Sequence, residues 1–186
     1  MNTCGIFGEP GTGKSHLLDK IVQAHESDDR RIWVANPFES VGGTNVGTVQ
    51  DFCNRKSWPS ISRFDVEPED VLELALQVQD VTVVCDEISR WVGAKDKVPS
   101  VLKEVCSRGR HHRVYLLYTA QHPFDIPDFL RRSTYSHLFY RISAQSTRNY
   151  LAQSFGVELA DAVRNHQGYS PLYFDQSQRL RKLEVA

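Results

Sequence analysis

Eight consecutive residues near the start of the chain, Gly8 to Ser15, constrain its fold more than any other stretch. Gly8, Glu9, Pro10, Gly11, Thr12, Gly13, Lys14 and Ser15 satisfy the pattern G-x-x-x-x-G-K-[ST] at every position. Glycines let a backbone turn tightly enough to aim successive N–H groups at one point, which suits phosphate oxygens. The lysine closing such a loop reaches the β- and γ-phosphates, and the hydroxyl after it ligates Mg²⁺. The flanks agree. Thr3 to Phe7 reads as an apolar strand, and Leu17, Leu18, Ile21 and Val22 share one face of a helix from about Lys14 to His25. The helix start turns its positive dipole end toward the loop. Gly8–Ser15, with the adjoining His16, is therefore the expected binding segment for ATP with Mg²⁺, and Ser15 the expected metal ligand.

The rest of the chain alternates between two periods. Arg31–Ala35 reads as a strand. Residues 36–60 are rich in Gly, Asn, Ser and Pro and read mainly as loop. Ile61–Val66 reads as a strand, and Pro68 opens a helix to about Gln79. Val81–Cys85 is a continuous apolar, β-branched run, as expected of a strand buried on both faces. A helix from about Pro99 to Arg108 is expected to stop at Gly109. Strands at Val114–Thr119 and His137–Ile142 and helices at Asp125–Arg132, Ala144–Phe155 and Glu158–His166 follow, and Tyr169–Val185 reads as a closing strand pair. Alternating β and α elements predict an α/β fold with a mainly parallel sheet and helices on both faces.

Asp86 and Glu87 follow the Val81–Cys85 strand directly, at its carboxyl end, where open α/β sheets bind ligands. One acid suits the metal and the other the nucleophile: Asp86 holds Mg²⁺ and Glu87 deprotonates the attacking water. The alternative is that the pair caps the next helix. A kinase for a small metabolite needs no water-activating glutamate, so the pair favours hydrolysis. Gln121 follows the Val114–Thr119 strand and faces the γ-phosphate if that strand lies beside the acidic one. Arg108 and Arg110 flank Gly109; they either cap a helix dipole or supply an arginine finger to a neighbouring subunit. Arg131 and Arg132 are rivals for that role or for DNA phosphates. Lys95 and Lys97, in a loop past the acidic pair, either touch a DNA backbone or are solvated.

A length of 186 residues suits a single domain spanning 1–186. The net charge of −1 gives no overall attraction to nucleic acid, so any DNA contact needs a local basic face. Cys4, Cys53, Cys85 and Cys106 form no C-x-x-C pair and read as buried, reduced thiols. The histidines show no zinc spacing. No stretch reaches the roughly 18 apolar residues of a membrane span, so a cytoplasmic protein without a span is expected. The aromatics Tyr169, Tyr173 and Phe174 serve either adenine or the core.

The stretch from Cys85-Asp86-Glu87 through Ser107–Pro123 to Ile126-Pro127 and Leu130-Arg131 resembles the FtsK–HerA superfamily. Those motors follow the acidic pair with a helix, a G-R-H/K segment, a strand ending in T-Q-R-P or a variant, a D-I/V-P segment and an arginine. A strand with an F-R-like end comes next, here Leu138–Ile142. Two positions depart: Ala120 stands where Thr is frequent, and His122 where Arg is frequent. The resemblance implies a three-layer αβα P-loop NTPase of the RecA-like, additional-strand catalytic-glutamate type. With no membrane span and no further domain, the chain looks like the genome-packaging ATPases of membrane-containing double-jelly-roll viruses. Such enzymes form rings, usually hexamers, at a capsid vertex beside packaging proteins and drive double-stranded DNA inward. The expected place is the host cytoplasm, with the virion as a second location. In this reading Lys14, Glu87, Gln121 and Arg108 or Arg110 are catalytic. A nucleotide-gated assembly or DNA-binding switch is the alternative.

Overall fold

The computed structural model describes residues 3–27, 31–35, 43–175 and 180–182. Its strands are β1 (Thr3–Phe7), β2 (Arg31–Ala35), β3 (Thr44–Gly47), β4 (Ile61–Phe64), β5 (Val81–Cys85), β6 (Val114–Ala120), β7 (Ser136–Phe139), β8 (Leu172–Asp175) and β9 (Leu180–Lys182). The helices are α1 (Lys14–Ser27), α2 (Val49–Cys53), α3 (Pro68–Val78), α4 (Ser100–His112), α5 (Asp128–Ser133), α6 (Gln145–Phe155) and α7 (Val157–Asn165). All the strands join one sheet in the order β3-β4-β2-β5-β6-β1-β7-β8-β9. Strands β3 to β7 run parallel, and β8 and β9 add an antiparallel edge.

Strand periodicity sorts the core into two layers. On one face Ile6, Ile32, Val34, Val84 and Leu117 meet Leu17, Leu18 and Val22 of α1. On the other, Phe7, Val83, Leu116 and Tyr118 meet α3 through Leu72, α4 through Leu102 and Val105, and α5 through Leu130. Leu151 of α6 and Val163 of α7 complete that layer. The fully buried run of β5 needs cover on both sides, which the two layers supply.

Several local expectations fail. Residues 36–60 are not mainly loop: β3 and α2 lie within them, while residues 36–42 fall outside the described set. Thr48 opens α2 through a reciprocal capping box with Asp51. Helix α4 does not stop at Gly109, which is buried in its last turns; it ends at Arg113, whose backbone is left-handed at φ 55° and whose guanidinium pairs with Asp80. Packing outweighs the roughly 1 kcal/mol that glycine costs inside a helix, and Arg110, His111 and His112 suit the negative end of the dipole. The 125–132 helix breaks into a short 3₁₀ turn, Pro123–Asp125, and α5, because Pro127 prevents continuity. Finally, Cys53 is exposed, whereas Cys85 and Cys106 are buried as expected, with thiols pushed up to about 12 by desolvation.

Strand β7 also ends before Ile142. Tyr140 still donates its N–H to Phe7 O at 2.8 Å, but the next carbonyl, of Arg141, accepts from Glu9 N at 3.3 Å. From there the chain follows the phosphate loop rather than a sheet neighbour.

Candidate functional site

The loop Gly8–Gly13 leaves the carboxyl end of β1, with β6 on one side and β7 on the other. Its shape needs glycine at two places, since Gly11 has φ 77° and Gly13 φ 101°. Its first turn is tied to both neighbours. Gly8 N–H donates to the carbonyl of Gln121 beyond β6 at 3.3 Å, and Glu9 N–H to Arg141 beyond β7. The Glu9 carboxylate accepts from Ser143 N–H at 2.7 Å and from the Ser143 hydroxyl at 2.5 Å. Those two bonds hold its pKa below the ordinary carboxylate value. Within the loop, the Thr12 hydroxyl donates to Glu9 O at 2.8 Å.

Lys14, the first residue of α1, folds back over this loop. Its Nζ donates to Gly8 O at 2.6 Å and Glu9 O at 3.1 Å. Burial lowers its pKa, and the nearby charges of Glu87 and Asp86 oppose that shift. The lysine thus lies within electrostatic reach of the acidic pair, as an ammonium serving phosphates between loop and acids must. Ser15 is half-buried in the first helical turn, and His16 is exposed.

Asp86 and Glu87 leave β5 at the same edge of the sheet. Thr119, fully buried on β6, locks them together: its hydroxyl donates to Asp86 Oδ1 at 2.5 Å and accepts from Glu87 N–H at 2.7 Å. Glu87 itself is left-handed, with φ 52° and ψ 58°, a conformation that costs a non-glycine residue about 1 kcal/mol or more. Its carboxylate caps no helix; it accepts from the Ser89 hydroxyl at 2.8 Å. Glu87 thus precedes the 3₁₀ turn Ile88–Arg90 without a side-chain capping bond.

Strand β6, which ends just before Gln121, lies between β1 and β5. The residue sits half-buried where the strand ends, between loop and acids. Among the described residues no three His, Cys, Asp or Glu side chains converge on a metal position. Ser15 lies in the first turn of α1 beside the loop, and Asp86 leaves β5 at the same edge of the sheet.

Other expected residues lie elsewhere. Asp80 N–H donates to His112 O, and Val81 N–H to Arg113 O, so α4 ends at the amino edge of β5. Arg108 and Arg110 are thus at the pole opposite the phosphate loop. A five-residue strand rising about 3.3 Å per residue puts roughly 15 Å of sheet between them and their own loop. Both are exposed, and Arg108 makes only a long 3.5 Å pair with Glu104. Arg131 is structural: Nη1 donates to Pro123 O and Ile126 O, Nη2 pairs with Asp128, and the guanidinium lies over Tyr150. Arg132 is exposed and pairs with Asp128. Lys95 and Lys97 are exposed in the loop before α4. His122 stacks on Phe124 and shares a 3.1 Å hydrogen bond with Thr147.

Thr119 and Ser143 carry no local signal in the sequence, whereas Arg141 belongs to the F-R-like strand end of the resemblance, and of the three tail aromatics only Tyr169 lies beside the phosphate loop. Phe174 is in the core, and Tyr173 packs against the α1 layer. Tyr169 is 75% exposed and lies over the loop, close enough that a Cβ on Gly13 would sit 3.3 Å from its ring. It lines a cavity of about 280 Å³ with Thr12, Arg141, His166, Gln167 and Gly168. This cavity opens on the β7 side of the loop, away from the acidic pair.

No protein-family model and no curated protein sequence matches the chain. Solved structures do. The genome packaging NTPase B204 from Sulfolobus turreted icosahedral virus 2, in complex with ATP-gammaS, superposes with a TM-score of 0.85 at 16% identity, over 98% of this chain and 96% of that one. The DNA-packaging ATPase B204 from Sulfolobus turreted icosahedral virus gives 0.81 at 18% identity, over 100% and 98%. VirB4 of Thermoanaerobacter pseudethanolicus gives 0.76 at 9% identity, over 99% and 89%. Among the described residues no helix is long and apolar enough to cross a membrane. The chain has the P-loop NTPase fold that its resemblance to FtsK–HerA motors implied, and it shares that fold with these viral packaging enzymes.

Proposed function

We propose that this chain is an ATPase that moves double-stranded DNA, as one subunit of a ring that packages a viral genome into its capsid. The observation that carries the hydrolytic part is the Thr119 bridge, which fixes Asp86 and Glu87 across from a complete phosphate loop. The likeness to two viral packaging enzymes over nearly their whole length supports the packaging part.

The chemistry follows from position. Backbone N–H groups of the loop and the Lys14 ammonium cradle the β- and γ-phosphates, for which Lys14 exchanges its bonds to Gly8 O and Glu9 O. Ser15 and Asp86 would hold Mg²⁺, which would neutralise charge on the phosphates. Glu87 takes the proton of the attacking water, and the Gln121 amide orients that water or reads the γ-phosphate without adding charge. With the γ-phosphate on the acidic side, the nucleoside lies on the β7 side, toward Tyr169 and Arg141. An arginine from the adjacent subunit, Arg108 or Arg110, completes the site. Their exposure at the far pole suits contact with a neighbour and not with their own loop.

Phosphate release measured with and without linear duplex DNA tests the function. A motor hydrolyses faster on duplex; equal rates favour the switch. In the same assay, removing the finger among Arg108→Ala and Arg110→Ala lowers kcat by about 10³-fold or more. Wild-type rates in both variants would sink the trans arrangement.

A further inference from the structure

A second concave surface lies at the pole of the sheet away from the phosphate loop. Arg31 opens β2 and sits in register with Val81, the first residue of β5, which fixes its place at the amino edge. Its guanidinium lies over the ring of Trp58, 4.9 Å from the centroid. Phe52 stacks on the same indole at 5.1 Å and 23°. Phe52 is itself fully buried against Trp33 and Phe64, so it anchors Trp58 to the core. Around this post Arg31, Arg55, Lys56, Ser57 and Trp58 line a cavity of about 420 Å³.

Three cations meet there, and among the described residues no carboxylate is in the lining. Arg55 spends one Nη2 bond on Asn45 O at 3.2 Å and feels the charge of Asp51, which lies outside that wall. Like charges gathered along one wall repel one another, and an anion relieves that repulsion. The remaining donors are the Ser57 hydroxyl and the indole N–H, so the wall offers hydrogen bonds to oxygen as well as charge. Trp58 is 43% exposed, unusual for so large an apolar side chain. Its ring is already flanked by Phe52 and Arg31, so it gives an incoming base no free face to stack on. The arrangement therefore suits a phosphodiester backbone whose bases are paired and turned away, not an unstacked single strand. On a chain of net charge −1 such a face has to be local.

We propose that Arg31, Arg55 and Lys56, braced by Trp58, form a binding site for the backbone of duplex DNA at the pole opposite the ATP site. This rests on the DNA-motor reading above. The test is fluorescence anisotropy of a labelled short duplex with the full chain across a salt series, for wild type and for the double variant Arg55→Glu, Lys56→Glu. Both residues are exposed, and an unchanged melting temperature confirms that the variant is folded. The expected result is at least a tenfold loss of affinity at low salt. The slope of log K against log salt should fall by about two, at 0.9 per phosphate contact. Unchanged affinity and slope in the variant, with wild type binding normally, overturns this site and leaves the motor reading standing. No duplex binding by wild type at any salt overturns both. Tighter binding to the single strand than to the duplex overturns the assignment to duplex DNA, as does binding only to vesicles of phosphatidylglycerol.

Discussion

Glu87→Gln lowers phosphate release from ATP by about 10²- to 10⁴-fold, the range expected when a positioned general base is removed, while nucleotide binding stays close to wild type. The change is nearly isosteric. It keeps an oxygen to accept the Ser89 hydroxyl, and it leaves the backbone bond from Glu87 N–H to Thr119 untouched. Only the ability to take a proton is lost. Binding depends on other groups, the loop N–H donors and Lys14. Single-turnover phosphate release, paired with equilibrium binding of a fluorescent ATP analogue, separates the two. A variant that hydrolyses at the wild-type rate removes Glu87 from the mechanism; one that no longer binds nucleotide assigns it a different role.

Thr119→Val should be nearly as damaging, through position instead of chemistry. Valine fills the same space, so the buried wall of β6 keeps its shape. It leaves Asp86 Oδ1 and the Glu87 N–H without their shared hydroxyl partner. Loss of a hydrogen-bond partner at a partly buried polar group costs on the order of 1 kcal/mol. The left-handed backbone at Glu87 also loses the bond that holds it. We expect kcat to fall roughly ten- to a hundredfold, each tenfold corresponding to about 1.4 kcal/mol, with more Mg²⁺ needed for half-maximal rate. Thr119→Ser restores the hydroxyl and should recover most of the rate. Valine at the wild-type rate and Mg²⁺ dependence would show that the bridge is incidental.

These residues also show where reading a sequence succeeds and where it stops. The phosphate loop and the acidic pair are each contiguous, so local spacing exposes them. Thr119 is 32 residues from Glu87, and Ser143 is 134 from Glu9. Their partnerships exist only because the sheet places β6 and the end of β7 beside the loop, and no local pattern encodes that. Helix α2 is a different case: Thr48-x-x-Asp51 is a readable capping signal, masked by the polar, glycine-rich composition around it. The pole of Arg108 and Arg110 was also open to deduction. In a β-α-β alternation every helix ends at the amino edge of the next strand, which is opposite the loop. Gly109 misled because glycine commonly marks a helix end, yet here a buried face carries the helix on to Arg113.

The central claim is that ATP hydrolysis at this site moves duplex DNA. A linear duplex carrying a labelled third strand tests it most directly, because a translocating protein strips the third strand as it passes. Wild type with ATP should release the third strand, and neither an unhydrolysable analogue nor Glu87→Gln should support release. Rapid hydrolysis by wild type on that duplex, with the third strand left in place, would contradict it.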